Sequence, residues 1–164
     1  MRNKIIALAI IVFAATTVKA QDSKPTTLSI GVNVGIPTGT FSSVYSIAYG
    51  ADLQADFAVA PTTKITASVG YENYSVKSDL GSGNSGFVPL LAGAKFFFGG
   101  GKAYGHAQLG YGFGTEKGDD GAFAYAPSIG YYLSPNIDAS LKYLSFSNDG
   151  ATLSSLNLRV AYNF

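Results

Sequence analysis

The sequence predicts an all-β fold, in which eight antiparallel strands form one up-and-down β-barrel. Between Leu28 and Phe164, apolar side chains recur at every second position, which is the period of a β-strand. The alternating segments are separated by stretches rich in Gly, Pro, Asn and Ser, which favour turns, and none has the spacing of an amphipathic helix. Only 13% of the residues are charged, against roughly 25% in ordinary soluble domains. The two-residue period of the apolar side chains and the spacing of the turns predict the fold class. The low fraction of charged residues indicates that the barrel lies in an unusual environment.

Length and composition also exclude several functions. With 164 residues, the chain is long enough for one domain with a core of its own. A net charge of +1 gives no electrostatic basis for binding nucleic acid. The absence of cysteine excludes a disulfide scaffold, a thiolate metal site and a cysteine nucleophile.

The first segment, residues 1–20, has the pattern of a secretory signal peptide. Met1–Lys4 carries positive charge, and Ile5–Ala15 is an uninterrupted run of eleven apolar residues. This run is too short for a transmembrane helix, which needs about 20 residues. We expect cleavage after Ala20, so that residues 21–164 form the barrel. The mature chain then has eight basic and ten acidic residues and is slightly acidic.

The first four strands each place apolar side chains on one face and small or polar side chains on the other. The apolar positions are the even-numbered residues from Leu28 to Ile36, the odd-numbered residues from Ile47 to Val59 and from Ile65 to Tyr71, and the even-numbered residues from Val88 to Phe98. The fourth strand is the least regular, because Leu91 and Phe97 fall on its other face.

The last four strands repeat this pattern. Their apolar positions are the odd-numbered residues from Gly105 to Phe113, from Phe123 to Leu133 and from Ile137 to Tyr143, and the even-numbered residues from Leu156 to Phe164. The connectors alternate in length. Residues 60–63, 99–102 and 134–136 are predicted as tight turns, and residues 37–46, 77–86, 115–121 and 147–152 as longer loops. This alternation predicts a meander whose two ends differ.

Alternation alone does not decide which face lies inside. A soluble lipocalin-like barrel points its apolar face inward, whereas a transmembrane barrel has an apolar outer band and a polar interior. The apolar faces carry small aliphatic residues in their middles and aromatic rings near their ends, as two membrane–water interfaces favour. These aromatic residues are Tyr49, Phe57, Tyr71, Phe96, Phe98, Tyr111, Phe113, Phe123, Tyr125, Tyr131, Tyr143, Tyr162 and Phe164. The aromatic girdle favours the transmembrane barrel.

The polar faces support the same orientation. They are rich in Gly, Ser and Ala and carry few charges, with acids and bases nearly balanced, as a closed interior requires because a buried charge needs a partner. We predict that these charges form a structural network in the interior, consisting of Asp52, Asp56, Glu72, Lys95, Asp138, Lys142 and Arg159.

The final strand has the apolar alternation and terminal Phe of an assembly signal, carried by Leu158, Val160, Tyr162 and Phe164. In this pattern the chain resembles the small eight-stranded outer-membrane β-barrel family, which includes outer-membrane protein X and the membrane domain of outer-membrane protein A. The stretch Phe87–Phe98 also resembles a recurring strand of the outer-membrane β-barrel domain family. The resemblance implies the outer membrane as location, and assembly by periplasmic chaperones and the barrel-insertion machinery. The modest loops weaken an adhesion role, and no peptidoglycan-binding domain follows Phe164.

Several motifs are better explained by structure than by chemistry. Gly81–Gly86 fits G-x-G-x-x-G but leads into a strand instead of a helix. His106, the single histidine, is expected inside the barrel near a short turn, as a hydrogen-bonded residue and not a catalytic base. The turns at Asp119–Gly121 and Asn148–Gly150 lack the ligand spacing of a calcium loop. We therefore predict no catalytic, cofactor or metal site.

The sequence favours an integral outer-membrane protein with a packed polar interior and a structural or surface-interaction role. Its expected partners are outer-membrane lipids and, during assembly, the chaperones and insertion machinery; the partner of the external loops is not identified. We expect a monomer. Three alternatives remain: a narrow pore, an outer-membrane lipid-modifying enzyme and a soluble lipocalin-like ligand carrier.

Overall fold

A computed structural model describes residues 26–81, 83–116, 121–148 and 150–164. The predicted signal peptide, residues 1–20, lies outside the described residues, as do Asp119, Asp120 and Asp149 of the two acidic turns. In the described part of the chain, no helix is both long and apolar enough to cross a membrane.

The described residues form a closed barrel in which every strand pairs antiparallel with its neighbours in sequence. The strands are β1 (Thr26–Thr38), β2 (Tyr45–Ala60), β3 (Thr63–Val76), β4 (Asn84–Phe98), β5 (Ala103–Gly114), β6 (Ala122–Ser134), β7 (Ile137–Asn148) and β8 (Ala151–Asn163). β8 closes the barrel by pairing with β1 from Ser29↔Asn163 to Thr38↔Ser154. The predicted fold class, an eight-stranded antiparallel up-and-down barrel, is confirmed.

The two ends of the barrel differ. At one end, here called the turn end, residues 61–62, 99–102 and 135–136 connect the strands. At the other, the loop end, the connections are residues 39–44, 77–83, 115–121 and 149–150. A short 3₁₀ helix, Gly39–Ser43, lies in the first of these loops.

Strands β3, β4, β7 and β8 extend further toward the loop end than the sequence predicted. The connector predicted as residues 147–152 is wrong, because β7 continues to Asn148 and β8 begins at Ala151. Likewise β3 continues to Val76 and β4 begins at Asn84, inside the loop predicted as residues 77–86. The physical reason is that apolar residues change faces near the loop end, so the outward alternation ends while the backbone pairing continues.

The barrel exposes its apolar face and buries its polar face. On β8, for example, Leu158 is 54% exposed whereas the adjacent Arg159 is 5% exposed. Because successive side chains of a strand point to opposite faces, this pattern puts the alternate apolar residues outside all around the barrel. The interior is narrow, as expected for eight strands, and is filled by side chains.

Candidate functional site: the barrel interior and its apolar surface

A buried ion pair lies across the strand that closes the barrel. Arg159 on β8 donates through Nε and Nη2 to the two carboxylate oxygens of Asp52 on β2, at 2.8 and 2.5 Å. β1 separates these two strands, and its Gly31 lies directly beneath the guanidinium group, where any side chain would collide with it. The bidentate geometry is the strongest arrangement of such a pair. The ion pair therefore connects β2 to β8 across β1.

Asp138 on β7 joins two further groups, Tyr104 and Asn163, to this pair. Its carboxylate accepts hydrogen bonds from the Tyr104 hydroxyl at 2.5 Å and from Asn163 Nδ2 at 2.8 Å. Arg159 Nη1 lies 3.9 Å from the same carboxylate. The Tyr104 ring packs over Gly130, where a methyl group would meet the ring. Asp138 therefore links β5, β7 and β8 inside the barrel.

A second ion pair lies nearer the turn end. Lys95 Nζ is 2.8 Å from Asp56 Oδ2, and Gln54 Nε2 donates to the other oxygen of Asp56 at 2.7 Å. The Lys95 ammonium also lies 4.6 Å from the centre of the Tyr104 ring. Each charge here has a close partner, as a buried charge requires.

The last two predicted members of the network are not joined by an ion pair. Among the described residues, no hydrogen bond or ion pair within 4.0 Å links Glu72 to Lys142, although both are buried and interact electrostatically. One carboxylate oxygen of Glu72 has no hydrogen-bond partner in the described residues. The structure thus brings five of the seven predicted residues into direct contacts and places the other two in the same interior.

Lys64 is a further charged residue of the interior and is not among the seven residues predicted from the sequence. It lies on the inward face of β3 beside Lys95 of β4, and its Nζ is 5.4 Å from the centre of the Phe97 ring. With Lys64 included, the interior residues that the structure describes comprise four basic and four acidic side chains. The inward parity of β3, which Lys64 shares with Thr66, was the signal that could have found it.

His106 is buried in the interior, where it takes part in a hydrogen bond between two strands. It is 7% exposed and shares a hydrogen bond of 2.8 Å with Thr66 on β3. The described residues contain no group of three or more His, Cys, Asp or Glu that could hold a metal ion.

Two clusters of aromatic rings occupy the two ends of the interior. Neither cluster was predicted from the sequence. Toward the loop end, Phe87 stacks on Phe146 with centroids 4.5 Å apart, and Tyr74 meets Phe146 edge to face. These rings pack with the buried Leu91, Leu144 and Leu153 and with small alanines. Toward the turn end, Phe97, Tyr104 and Tyr132 contact one another with centroids 5.8 to 6.0 Å apart. The two ion pairs, Asp52–Arg159 and Asp56–Lys95, lie between these two clusters, whereas Asp138 lies opposite Tyr132 of the turn-end cluster.

Every strand carries exposed apolar side chains on its outer face. Near the strand ends this face carries exposed aromatic rings, such as Tyr71 at 47% and Tyr131 at 47%. The residues of the predicted C-terminal signal all face outward: Leu158, Val160, Tyr162 and Phe164 are between 42% and 74% exposed. Such a surface is unfavourable in water, where exposed apolar patches on monomers rarely exceed a few hundred Å².

A closed eight-stranded barrel that is apolar outside and carries its charges inside has the fold of transmembrane β-barrels. The chain matches the crystal structure of Ail, the attachment invasion locus protein of Yersinia pestis, with a TM-score of 0.61 and 16% identity, over 85% of this chain and 97% of that chain. It matches neisserial surface protein A (NspA) with a TM-score of 0.53 and 14% identity, over 85% and 96%. It also matches a de novo designed transmembrane β-barrel with a TM-score of 0.56 and 19% identity, over 88% and 100%.

These similarities are similarities of fold. No protein-family model and no curated protein matches the chain. The expected resemblance to small eight-stranded outer-membrane barrels is therefore confirmed at the level of the fold.

Proposed function

We propose that the chain is an integral outer-membrane protein with a packed interior, which serves a structural or surface-interaction role in the bacterial envelope. The observation that carries this proposal is the polarity of the barrel, with apolar side chains outward on all eight strands and charged side chains inward. A bilayer requires this arrangement because its core solvates neither charges nor unpaired backbone groups. A soluble lipocalin-like carrier has the opposite one.

The interior favours a structural role over a pore. The buried ion pairs lie between the loop-end cluster around Phe146 and the turn-end cluster around Tyr104. Aromatic packing at both levels supports an interior that is closed to hydrated ions.

The same contacts favour a non-enzymatic barrel. His106 is buried and hydrogen-bonded to Thr66, so its ring is not presented to a lipid on the outer surface. The large side chains exposed on the outer surface are aliphatic and aromatic.

Residues 1–20 and the last strand support a proposal about export and assembly. We propose that residues 1–20 direct secretion and are cleaved, and that Leu158, Val160, Tyr162 and Phe164 form the terminal signal read by the insertion machinery. The exposed positions of these four side chains on β8 support this role. The lipid-facing band makes outer-membrane lipids the main partner of the folded monomer.

Membrane fractionation combined with a heat-modifiability gel tests the proposal. We expect the protein in the outer-membrane fraction, extracted only by detergent, with a band that changes mobility on boiling because the closed barrel resists unfolding in detergent. The predicted cleavage after Ala20 is checked on the same sample by the mass of the mature chain. A protein found in the soluble fraction, with one mobility before and after boiling, would contradict the membrane barrel.

A further inference from the structure

The outer surface of the barrel has an apolar groove in its turn-end half, here called the turn-end groove. It has a volume of about 340 Å³ and lies over strands β5 to β8. Gly130, which has no side chain, and Ser140, whose side chain is buried in the interior, lie at its floor. The walls are large apolar side chains that are 47% to 58% exposed, namely Ile129, Tyr131, Leu141 and Leu158.

Small outward residues create the turn-end groove. Ala103 of β5 and Ala139 of β7 also line it, and they lie in register with Tyr131, one on either side. Their side chains are too short to fill the space between the larger walls. The next outward position of β5 is Gly105, where an added methyl group would meet the Phe98 ring at 3.9 Å, an ordinary van der Waals contact. The outer face of β5 is therefore also low beside the groove.

A positive charge lies at the turn-end edge of the groove, because the exposed Lys102 directly precedes Ala103. No ion pair within 4.0 Å includes Lys102 among the described residues. Every acidic side chain that the structure describes lies in the interior or, like Asp79 and Glu116, in a loop-end connection. The preceding residues 99–101 are all glycine, so no side chain of this turn screens the lysine. The ammonium group is therefore available to an anion from outside the protein.

We propose that the turn-end groove binds one phospholipid with a negatively charged head group, whose acyl chain lies in the groove and whose phosphate lies at Lys102. This inference rests on the proposed membrane location. In a bilayer the groove faces acyl chains, and a lysine at the membrane surface attracts anionic head groups. Tyr131, which forms one wall, has the amphipathic ring that is favoured where the hydrocarbon layer meets the head groups. The apolar walls and the adjacent cation therefore match the two parts of such a lipid.

The size and chemistry of the groove suit an acyl chain. Its volume of about 340 Å³ lies at the lower end of the range for ligand sites, about 300–1,000 Å³, so it accommodates a narrow chain. The lining side chains that are exposed are aliphatic or aromatic, and a polar ligand would find no charged partner inside the groove. Ala103 lies only one residue, roughly 3.3 Å along the strand, from Lys102. An acyl chain in the groove thus brings its own head group to the lysine.

Native mass spectrometry of the purified protein in detergent tests the site. The protein is titrated with phosphatidylglycerol, which has a net negative charge, or with phosphatidylethanolamine, which is zwitterionic, and bound lipids are counted. Lys102→Gln removes the charge and Ala139→Leu fills the groove, with Gly105→Val as a second filling variant if Ala139→Leu does not fold. The matched controls are Lys77→Gln in a loop-end connection and Ala55→Leu on the outer face of β2. Each variant is first checked for the boiling-dependent change in mobility.

We expect the unaltered protein to bind one phosphatidylglycerol about fivefold more tightly than phosphatidylethanolamine, the preference that one lysine at the membrane surface gives. Lys102→Gln should remove this preference. Ala139→Leu should weaken the binding of both lipids by at least about fivefold, because the acyl chain loses its apolar contacts. Lys77→Gln and Ala55→Leu should bind both lipids as the unaltered protein does.

The outcomes separate this inference from the proposed function. Equal affinity of a heat-modifiable barrel for the two lipids, or an Ala139→Leu variant that binds them like the unaltered protein, would overturn the lipid site and leave the membrane location standing. A dimer without bound lipid would show that a second copy of the chain covers the groove, and the inference would fail as well. A protein that is soluble without detergent and not heat-modifiable would contradict the proposed membrane location itself.

Discussion

Individual interior residues join strands that are not neighbours in the barrel. Arg159 of β8 reaches Asp52 of β2 across β1, and Asp138 of β7 accepts from Tyr104 of β5 across β6. Both contacts pass over an inward-facing glycine, Gly31 in the first case and Gly130 in the second. A small side chain on the intervening strand leaves room for a large one to cross it. This explains why glycine and bulky polar residues occur together on the inward faces.

The Asp52–Arg159 pair gives a prediction at this scale. Asp52→Asn leaves the buried guanidinium without its bidentate partner, and removal of one member of a buried pair costs about 3–5 kcal/mol. We expect the free energy of unfolding, measured by urea titration in lipid vesicles, to fall by about this amount.

Two further variants identify the cause. Asp79→Asn removes an exposed loop carboxylate and is expected to change stability by less than about 0.5 kcal/mol. The double variant Asp52→Asn/Arg159→Gln removes both charges and should lose clearly less than the sum of the two single losses. Simple addition of the single losses would show that the two side chains do not act as a pair.

At the scale of the strand, the sequence predicts the regular alternation of the outer face and misses the segments where this alternation ends. Strand count, order and outward faces follow from a period of two, because apolar residues occupy alternate positions along most of each strand. Beyond Tyr143 the pattern changes, since Leu144 and Phe146 fill the interior and the alternate positions are serines, of which Ser145 is buried. An uninterrupted alternation of apolar and polar residues therefore ends at Tyr143, and the last part of β7 was predicted as a loop. Seven charged interior residues were predictable and Lys64 was missed, but the pairing was not predictable, because the register across strands determines which acid meets which base.

Phe146 tests the importance of this change of face within β7. It contacts Tyr74 and Phe87 and is 2% exposed, so Phe146→Ala opens a cavity and is expected to reduce the free energy of unfolding by about 3–5 kcal/mol. The matched control is Phe123→Ala on β6, because Phe123 is 50% exposed on the outer face opposite Ser147. Urea titration of both variants in vesicles provides the comparison. Equal losses would mean that the loop-end cluster adds no more than a lipid-facing ring does.

At the scale of the whole molecule, three interior layers lie in series along the barrel. An apolar cluster at the loop end is followed by the paired charges, and these by a smaller aromatic cluster at the turn end. Two of the layers consist of packed rings and one of paired charged groups. The barrel therefore combines an apolar exterior with an interior that is occupied by side chains at more than one level.

This arrangement predicts that the protein does not conduct ions in planar lipid bilayers. Because the layers are in series, opening one of them leaves the others in place. We therefore expect no discrete conductance steps from the unaltered protein, from Phe146→Ala or from Tyr104→Ala, each inserted as a heat-modifiable barrel. A porin measured in the same chamber is the positive control for insertion and detection. Steps from the unaltered protein would establish a continuous water path through its interior and favour the narrow pore. Steps from one single variant alone would show that its layer is the only barrier, so that the remaining two layers do not close the barrel.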